Sequence, residues 1–212
     1  MNPKHIYYET AAATIIKNLN RRRMEGYYCS TKEEALQKAL SFLAPGASAC
    51  SGGSMTLQEI GLMDALRSRS DITFLDRESG KTPDETKAIQ RQAFSCDCFY
   101  MSTNAITMDG ELVNVDGSGN RVSALIYGPD QVIIVAGMNK VTKDVHDGIK
   151  RVRGIASSPN CIRLNKNTPC ATTGVCGNCL GDDCICSQTV ITRRSGIVGR
   201  IKVILVGEEL GY

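Results

Sequence analysis

The sequence predicts an α/β domain, a mostly parallel sheet flanked by helices, preceded by N-terminal helices and interrupted near its end by a cysteine-rich loop. Three observations carry that expectation. Apolar runs at Ile72–Leu75, Cys98–Met101 and Gln131–Ala136 alternate with helical stretches, the pattern of parallel strands joined by crossover helices. A short apolar run, Ala47–Cys50, enters the glycine turn Ser51-Gly52-Gly53-Ser54 and then a helix beginning near Thr56. Six of the cysteines fall between residues 161 and 186, while strand-like sequence resumes after them. A chain of 212 residues supports one sizeable core more readily than two.

Each element has its own signal. Residues 9–25 place Ala11, Ala12, Ile15, Ile16 and Leu19 at helical spacing, and Arg21-Arg22-Arg23 puts cations at the end that the helix dipole favours. Ser30-Thr31-Lys32-Glu33 opens a second helix with a capping-box pattern that runs through Phe42, so residues 1–45 read as N-terminal helices. The α/β core spans 46–160. Within it, Thr82-Pro83-Asp84-Glu85 opens a helix with proline in its first turn. Asp109-Gly110 marks a turn, and Glu111–Val115 alternates as a half-buried strand does before Asp116-Gly117-Ser118-Gly119-Asn120 ends it. Lys143–Ile155 has helical length and spacing. Residues 161–188 form the cysteine-rich insertion, and 189–212 supply strands that return to the core.

Composition narrows the function. The net charge of +3 comes from 25 basic and 22 acidic residues spread along the chain, which leaves no nucleic-acid footprint. No stretch approaches the ~20 apolar residues of a membrane span. The start, MNPKHIYYET, has no apolar signal region, so a cytoplasmic location is expected. Clustered cysteines in such a setting point to metal or redox chemistry before disulfides.

The spacing Cys170-x5-Cys176-x2-Cys179-x6-Cys186 supplies four thiolates linked by small, turn-forming residues, which lets them converge on a metal. An iron–sulfur cluster of the [4Fe–4S] type is favoured over zinc, because a paired second C-x2-C half is lacking. Cys184 is an alternative fourth ligand to Cys186, whereas Cys161, Cys96 and Cys98 are read as packed residues.

The Gly52-Gly53-Ser54 turn between strand and helix is a candidate anion site, formed by backbone N–H groups and the helix end. It has neither the lysine of a Walker loop nor a third glycine, and a plain tight turn fits the pattern equally well. Glu59 lies one turn further on. Lys140 follows the strand Gln131–Ala136 at the carboxyl end, where open α/β sheets keep their ligands.

With these residues in view, the chain resembles the lactate-utilisation (LUD) domain family from about residue 10 to residue 207. The resemblance rests on Ser51-Gly52-Gly53-Ser54-x-Thr56-Leu57, Asn104-Ala105-Ile106-Thr107-x-Asp109-Gly110, Val115-Asp116-Gly117-x-Gly119-Asn120-Arg121-Val122, Gly128-Pro129, Gly137-x-Asn139-Lys140 and Thr168-Pro169-Cys170. It implies a fold similar to the ribose-5-phosphate isomerase and CoA-transferase group. It also implies a pocket for a small anionic metabolite built from Gly52, Gly53, Ser54, Thr56, Asn104, Asp109, Asn120 and Lys140, with Glu59 or Asp116 moving a proton. The expected setting is lactate or 2-hydroxy-acid utilisation, and larger family members act with iron–sulfur oxidoreductase partners. Two other readings stand beside this one: a non-catalytic accessory subunit docking such an oxidoreductase, and an isomerase or transferase acting on a phosphorylated or CoA-linked substrate. Cys184 departs from the family's usual cysteine pattern.

Overall fold

The computed structural model describes residues 2–212. In chain order the elements are α1 (Pro3–Arg21), β1 (Glu25–Cys29), α2 (Lys32–Leu40), β2 (Ser48–Ser51), α3 (Met55–Glu59), α4 (Leu62–Ser68), β3 (Thr73–Leu75), α5 (Pro83–Gln92), β4 (Cys98–Met101), β5 (Ala105–Thr107), β6 (Leu112–Asp116) and α6 (Asn120–Ile126). They continue with β7 (Gln131–Gly137), β8 (Val141–Thr142), α7 (Val145–Arg151), α8 (Ser157–Arg163), α9 (Pro169–Thr173), β9 (Gln188–Thr192) and β10 (Ile201–Val206).

Six strands form an all-parallel sheet in the order β1-β10-β7-β4-β2-β3, as the helix–strand alternation requires. Its two faces follow from the two-residue period of a strand. On one face Phe99, Met101, Val132, Ile134, Val203 and Leu205 pack against Ile15 and Leu19 of α1 and Leu125 of α6. On the other, Tyr100, Ile133, Val135, Ile204 and Val206 pack against Ala35 and Ala39 of α2 and Leu57, Leu62 and Leu66 of α3 and α4. Cys96 and Cys98 are buried as expected, one in each layer.

The structure departs from the sequence reading in three places. Residues 1–45 hold a strand as well as two helices: β1 forms the sheet edge, pairing in parallel with β10 from Glu25↔Lys202 to Cys29↔Val206. It is half-buried along most of its length and has too little apolar alternation to be read between two helices. Residues 104–116 build a second sheet, β8-β5-β6-β9, in which β6 runs antiparallel to both β5 and β9. Only β10 of the C-terminal strands therefore enters the main sheet. The helix expected to end at Ile155 continues to Arg163 through a π turn at Val152–Ala156. Pro159 carries no N–H for the preceding turn, and the wider π turn accommodates that loss.

α2 is capped by Thr31 rather than Ser30, and the reciprocal bond of a capping box goes to the residue before the cap. Thr31 accepts from Glu34 N, and Glu34 accepts from Ser30 N at 2.7 Å. Arg22, just past α1, donates to the carbonyls of Asp109 and Arg193 at 2.6 Å each, tying α1 to the second sheet. Among the described residues no helix is long and apolar enough to cross a membrane.

Candidate functional site

The carboxyl ends of β2 and β4 open into a polar cavity of about 300 Å³. β2 ends at Ser51, and Gly52 N donates to the Tyr100 carbonyl at 2.9 Å, which turns the chain sharply into α3. Ser54 caps α3 by accepting from Leu57 N. A side chain at Gly52 would meet Arg121 at 3.1 Å, and one at Gly53 would meet the Arg77 guanidinium at 3.0 Å. α3 is five residues long, so side-chain cations dominate the positive potential.

Of the residues expected to form the pocket, Gly53, Ser54, Thr56, Asn104, Asp116, Asn120 and Lys140 line this cavity together. Three do not. Gly52 is buried behind the wall, where its missing side chain leaves room for Arg121. Asp109 lies exposed at the β5–β6 turn against the end of α1, and its contribution is turn chemistry beside Gly110, whose φ is +83°. Glu59 is exposed and accepts from Gly211 N at 2.7 Å, anchoring the Leu210–Tyr212 segment beside the pocket. Asn139 holds the same segment through Leu210 N.

Arg121 organises the wall. Its guanidinium donates to the Ser102 and Val115 carbonyls and to the side-chain oxygens of Asn114 and Asn104, at 2.7 to 3.0 Å, with Asp116 3.8 Å away. Four acceptors from two segments, the β4–β5 connection and β6, are therefore fixed by one side chain. Burial pushes its pKa down, opposed by Asp116. Asp116 itself accepts from Gly117 N and Val122 N at 3.1 Å each, and it is the one side-chain carboxylate in the lining.

Lys140, only 4% exposed, donates to Thr56 Oγ1 at 2.9 Å and Ser102 Oγ at 3.0 Å. No carboxylate pairs with it within ion-pair distance among the described residues. Burial, reinforced by Arg151 and Arg121 and opposed by Glu59, pushes its pKa down to about 7.

Three further cations line the cavity that the sequence reading did not single out: Arg77, Arg163 and Lys166. Arg77 has no hydrogen-bond or ion-pair partner among the described residues and follows β3 at its carboxyl end, a position that could have flagged it. Arg163 comes from the extension of the long helix past Ile155 and Lys166 from the loop that follows it, for which no local signal existed.

A second, smaller cavity of about 100 Å³ lies behind the first, and six cysteines line it: Cys161, Cys170, Cys176, Cys179, Cys184 and Cys186. Thr168 caps α9 and places Cys170 in its first turn. Asp183 accepts from Lys166 Nζ at 3.1 Å and from Asn167 N at 2.8 Å, which folds the loop back upon α8. Cys161, read as a packed residue, is buried but stands in this cavity, with its sulfur 3.6 Å from that of Cys170. Val115 and Ile185 line both cavities, so the two share a wall.

Thiolates are the donors taken by iron–sulfur clusters and by structural zinc, and here the cysteines stand among Val152, Arg153, Ser157 and Thr168. Among the described residues no three His, Cys, Asp or Glu side chains come within reach of a single ion.

The sequence profile of the LUD domain matches residues 12–206, nearly the whole of the fold described above. The chain belongs to the LUD domain family. Membership supports a role related to lactate utilisation. This LUD domain is similar to a DUF162 family protein from Deinococcus radiodurans, with a TM-score of 0.53 and 14% identity over 94% of this chain and 98% of that one. Ribose-5-phosphate isomerase from Plasmodium falciparum gives a TM-score of 0.36 at 14% identity, covering 60% of this chain and 66% of that one. eIF2B beta from Chaetomium thermophilum gives 0.37 at 15% identity, covering 56% and 45%. At these values the first likeness shows shared architecture alone. No curated protein matches the LUD chain.

Proposed function

We propose that this LUD domain binds a small organic anion, of the 2-hydroxy- or 2-oxo-acid class, in the cation-lined pocket. The observation that carries the reading is the imbalance of charge there: Arg77, Arg121, Lys140 and Arg163 face one side-chain carboxylate of the lining, Asp116, while the fifth lining cation, Lys166, is paired with Asp183. Arg77, without a partner among the described residues, offers a planar fork for a carboxylate. Ser54, Asn104 and Asn120 add neutral donors of the kind that recognise a hydroxyl or carbonyl. Asp116 is placed to take up or release a proton, while Glu59 positions the segment that flanks the pocket. The cavity is also compatible with a phosphorylated ligand, the substrate class of an isomerase or transferase, so phosphate belongs in the test.

The cysteine cavity, in the same reading, holds a [4Fe–4S] cluster on Cys170, Cys176, Cys179 and Cys186, with zinc as the alternative metal and Cys161 and Cys184 within reach to substitute. Such a cluster would supply one-electron redox chemistry next to the pocket.

Thermal-shift measurements with lactate, pyruvate and inorganic phosphate test the pocket. Lactate or pyruvate should raise Tm, and Gly53→Val, which presses a side chain upon Arg77, should abolish the shift in a protein that remains folded. No shift with any of the three would remove the reading. Metal and sulfide analysis of protein purified anaerobically tests the second cavity, with about four irons and four sulfides per chain expected for the cubane. One zinc and a colourless protein would make the loop structural.

A second reading, an accessory subunit docking an iron–sulfur oxidoreductase, is favoured by one observation. Leu180 is 98% exposed and Val175 68% exposed, both in the cysteine loop, and Ile155 and Ile162 present further apolar surface from the adjoining helix. Co-purification with an oxidoreductase that is lost on Leu180→Asp would support docking there.

A further inference from the structure

The surroundings of Lys140 differ from those of a lysine that serves as a point charge. Such a lysine keeps its ammonium hydrated or pairs it with a carboxylate. Lys140 is 4% exposed, has hydroxyls as its hydrogen-bond partners, and lies near the guanidinium groups of Arg121 and Arg151. The hydroxyl of Thr56 donates onward to the Leu210 carbonyl and that of Ser102 to the Thr103 carbonyl, at 3.4 Å each, so both oxygens are left to accept from Nζ. Two N–H bonds of the amine are thereby directed. In the neutral form the nitrogen retains a lone pair, and Lys140 lines the cavity. Arg77 lines the same cavity, has no hydrogen-bond or ion-pair partner among the described residues, and could hold a carboxylate while a neighbouring carbon reacts.

We propose that Lys140 is a covalent carbonyl-capture residue, forming an imine with the keto carbon of a 2-oxo acid whose carboxylate is held by Arg77. The inference rests on the anion-pocket reading above and adds the reactive group and the oxidation state of the ligand. The lone pair of Nζ attacks the keto carbon and a C–N bond forms. The two amine protons leave with the carbonyl oxygen as water, and a C=N bond remains. No oxidant or reductant is consumed. A lysine desolvated beside other cations is the arrangement that makes an amine nucleophilic near neutral pH. With a pKa of about 7, a substantial share of the chains carries the neutral amine at that pH. The charged groups that set this value are Arg151 on α7, Arg121 on α6 and, in opposition, Glu59 on α3.

The experiment is reductive trapping. The full chain is incubated with pyruvate and cyanoborohydride, which delivers hydride to an imine and fixes it as a secondary amine, and the adduct is located by peptide mass spectrometry. One pyruvate-derived adduct on Lys140 is expected, with none from lactate, which has no carbonyl. Trapping should rise by up to about tenfold between pH 6 and pH 8, following the neutral fraction of a group titrating near pH 7. Lys140→Arg, which keeps the charge but has no nucleophilic amine, should lose at least ~10-fold of the adduct, and Lys140→Met should lose it equally. Adducts scattered over surface lysines such as Lys143 and Lys150, at the same level in both variants, would overturn the proposal. A pyruvate-dependent rise in Tm without any Lys140 adduct would overturn the imine and leave the anion pocket standing, whereas the absence of both would remove the two together.

Discussion

The two cavities share Val115 and Ile185 but are built in opposite ways. The anion pocket is assembled from strand ends and helices distant in sequence, and its side chains are held by long-range hydrogen bonds such as Arg121 to Ser102 and Lys140 to Thr56. Five of the six cysteines come from one 17-residue loop whose single regular element is α9, and only Cys161 is brought from α8. The pocket's geometry is thus a property of the sheet, and the loop's geometry is expected to depend on what the thiols bind.

Removing metal should separate the two most sharply. Treatment with a chelator, or the double change Cys170→Ser with Cys179→Ser, should abolish metal content and hydrogen-exchange protection across residues 165–187. Protection of β4, β7 and β10 should be unchanged, and loss there would show that loop and sheet unfold together.

Arg121→Ala is the corresponding break on the pocket side. It leaves four acceptors without their donor, and urea unfolding should report a loss of about 2–4 kcal/mol, with the metal content of the loop retained. A smaller loss would mean that water takes over those acceptors.

Lys140→Met should act with the opposite sign. A buried ammonium unpaired with any carboxylate disfavours the fold, so the variant should gain about 1–2 kcal/mol in stability while losing pyruvate-dependent protection. The sign follows from linkage. The folded-state pKa lies below that of the unfolded chain, so the unfolded state binds more protons between about pH 7 and the ordinary lysine value. The Lys140 contribution to stability therefore improves as pH rises through that window, and wild type minus Lys140→Met should show this slope.

Arg77→Ala should have the smallest structural effect, under about 0.5 kcal/mol, because the side chain has no partner among the described residues to lose. It should weaken binding of lactate or pyruvate by ~10-fold, since a carboxylate would lose its bidentate donor.

Much of the fold was legible. The parallel sheet followed from helix–strand alternation, and β4 and β7 were read within a residue because their apolar runs lie between clear turns. β1 was not, since Glu25-Gly26-Tyr27-Tyr28 acquires its strand character by pairing with β10 at the other end of the chain. The second sheet was missed for a related reason. Alternation identifies a half-buried strand without saying which sheet completes it, and β6 pairs with β9, some seventy residues on.

By itself the sequence determined the glycine turn at Gly52-Gly53, the spacing of Cys170, Cys176, Cys179 and Cys186, and the placement of Lys140 after a buried strand, because each depends on neighbours close along the chain. Only the tertiary structure decided that Arg77, Arg163 and Lys166 join Lys140 around one cavity, that Asp109 and Glu59 stand outside it, and that Cys161 meets Cys170. Local periodicity encodes which face a side chain takes. Parallel strands joined by crossovers can adjoin in many orders, and the order is settled by burying both faces of the sheet at once.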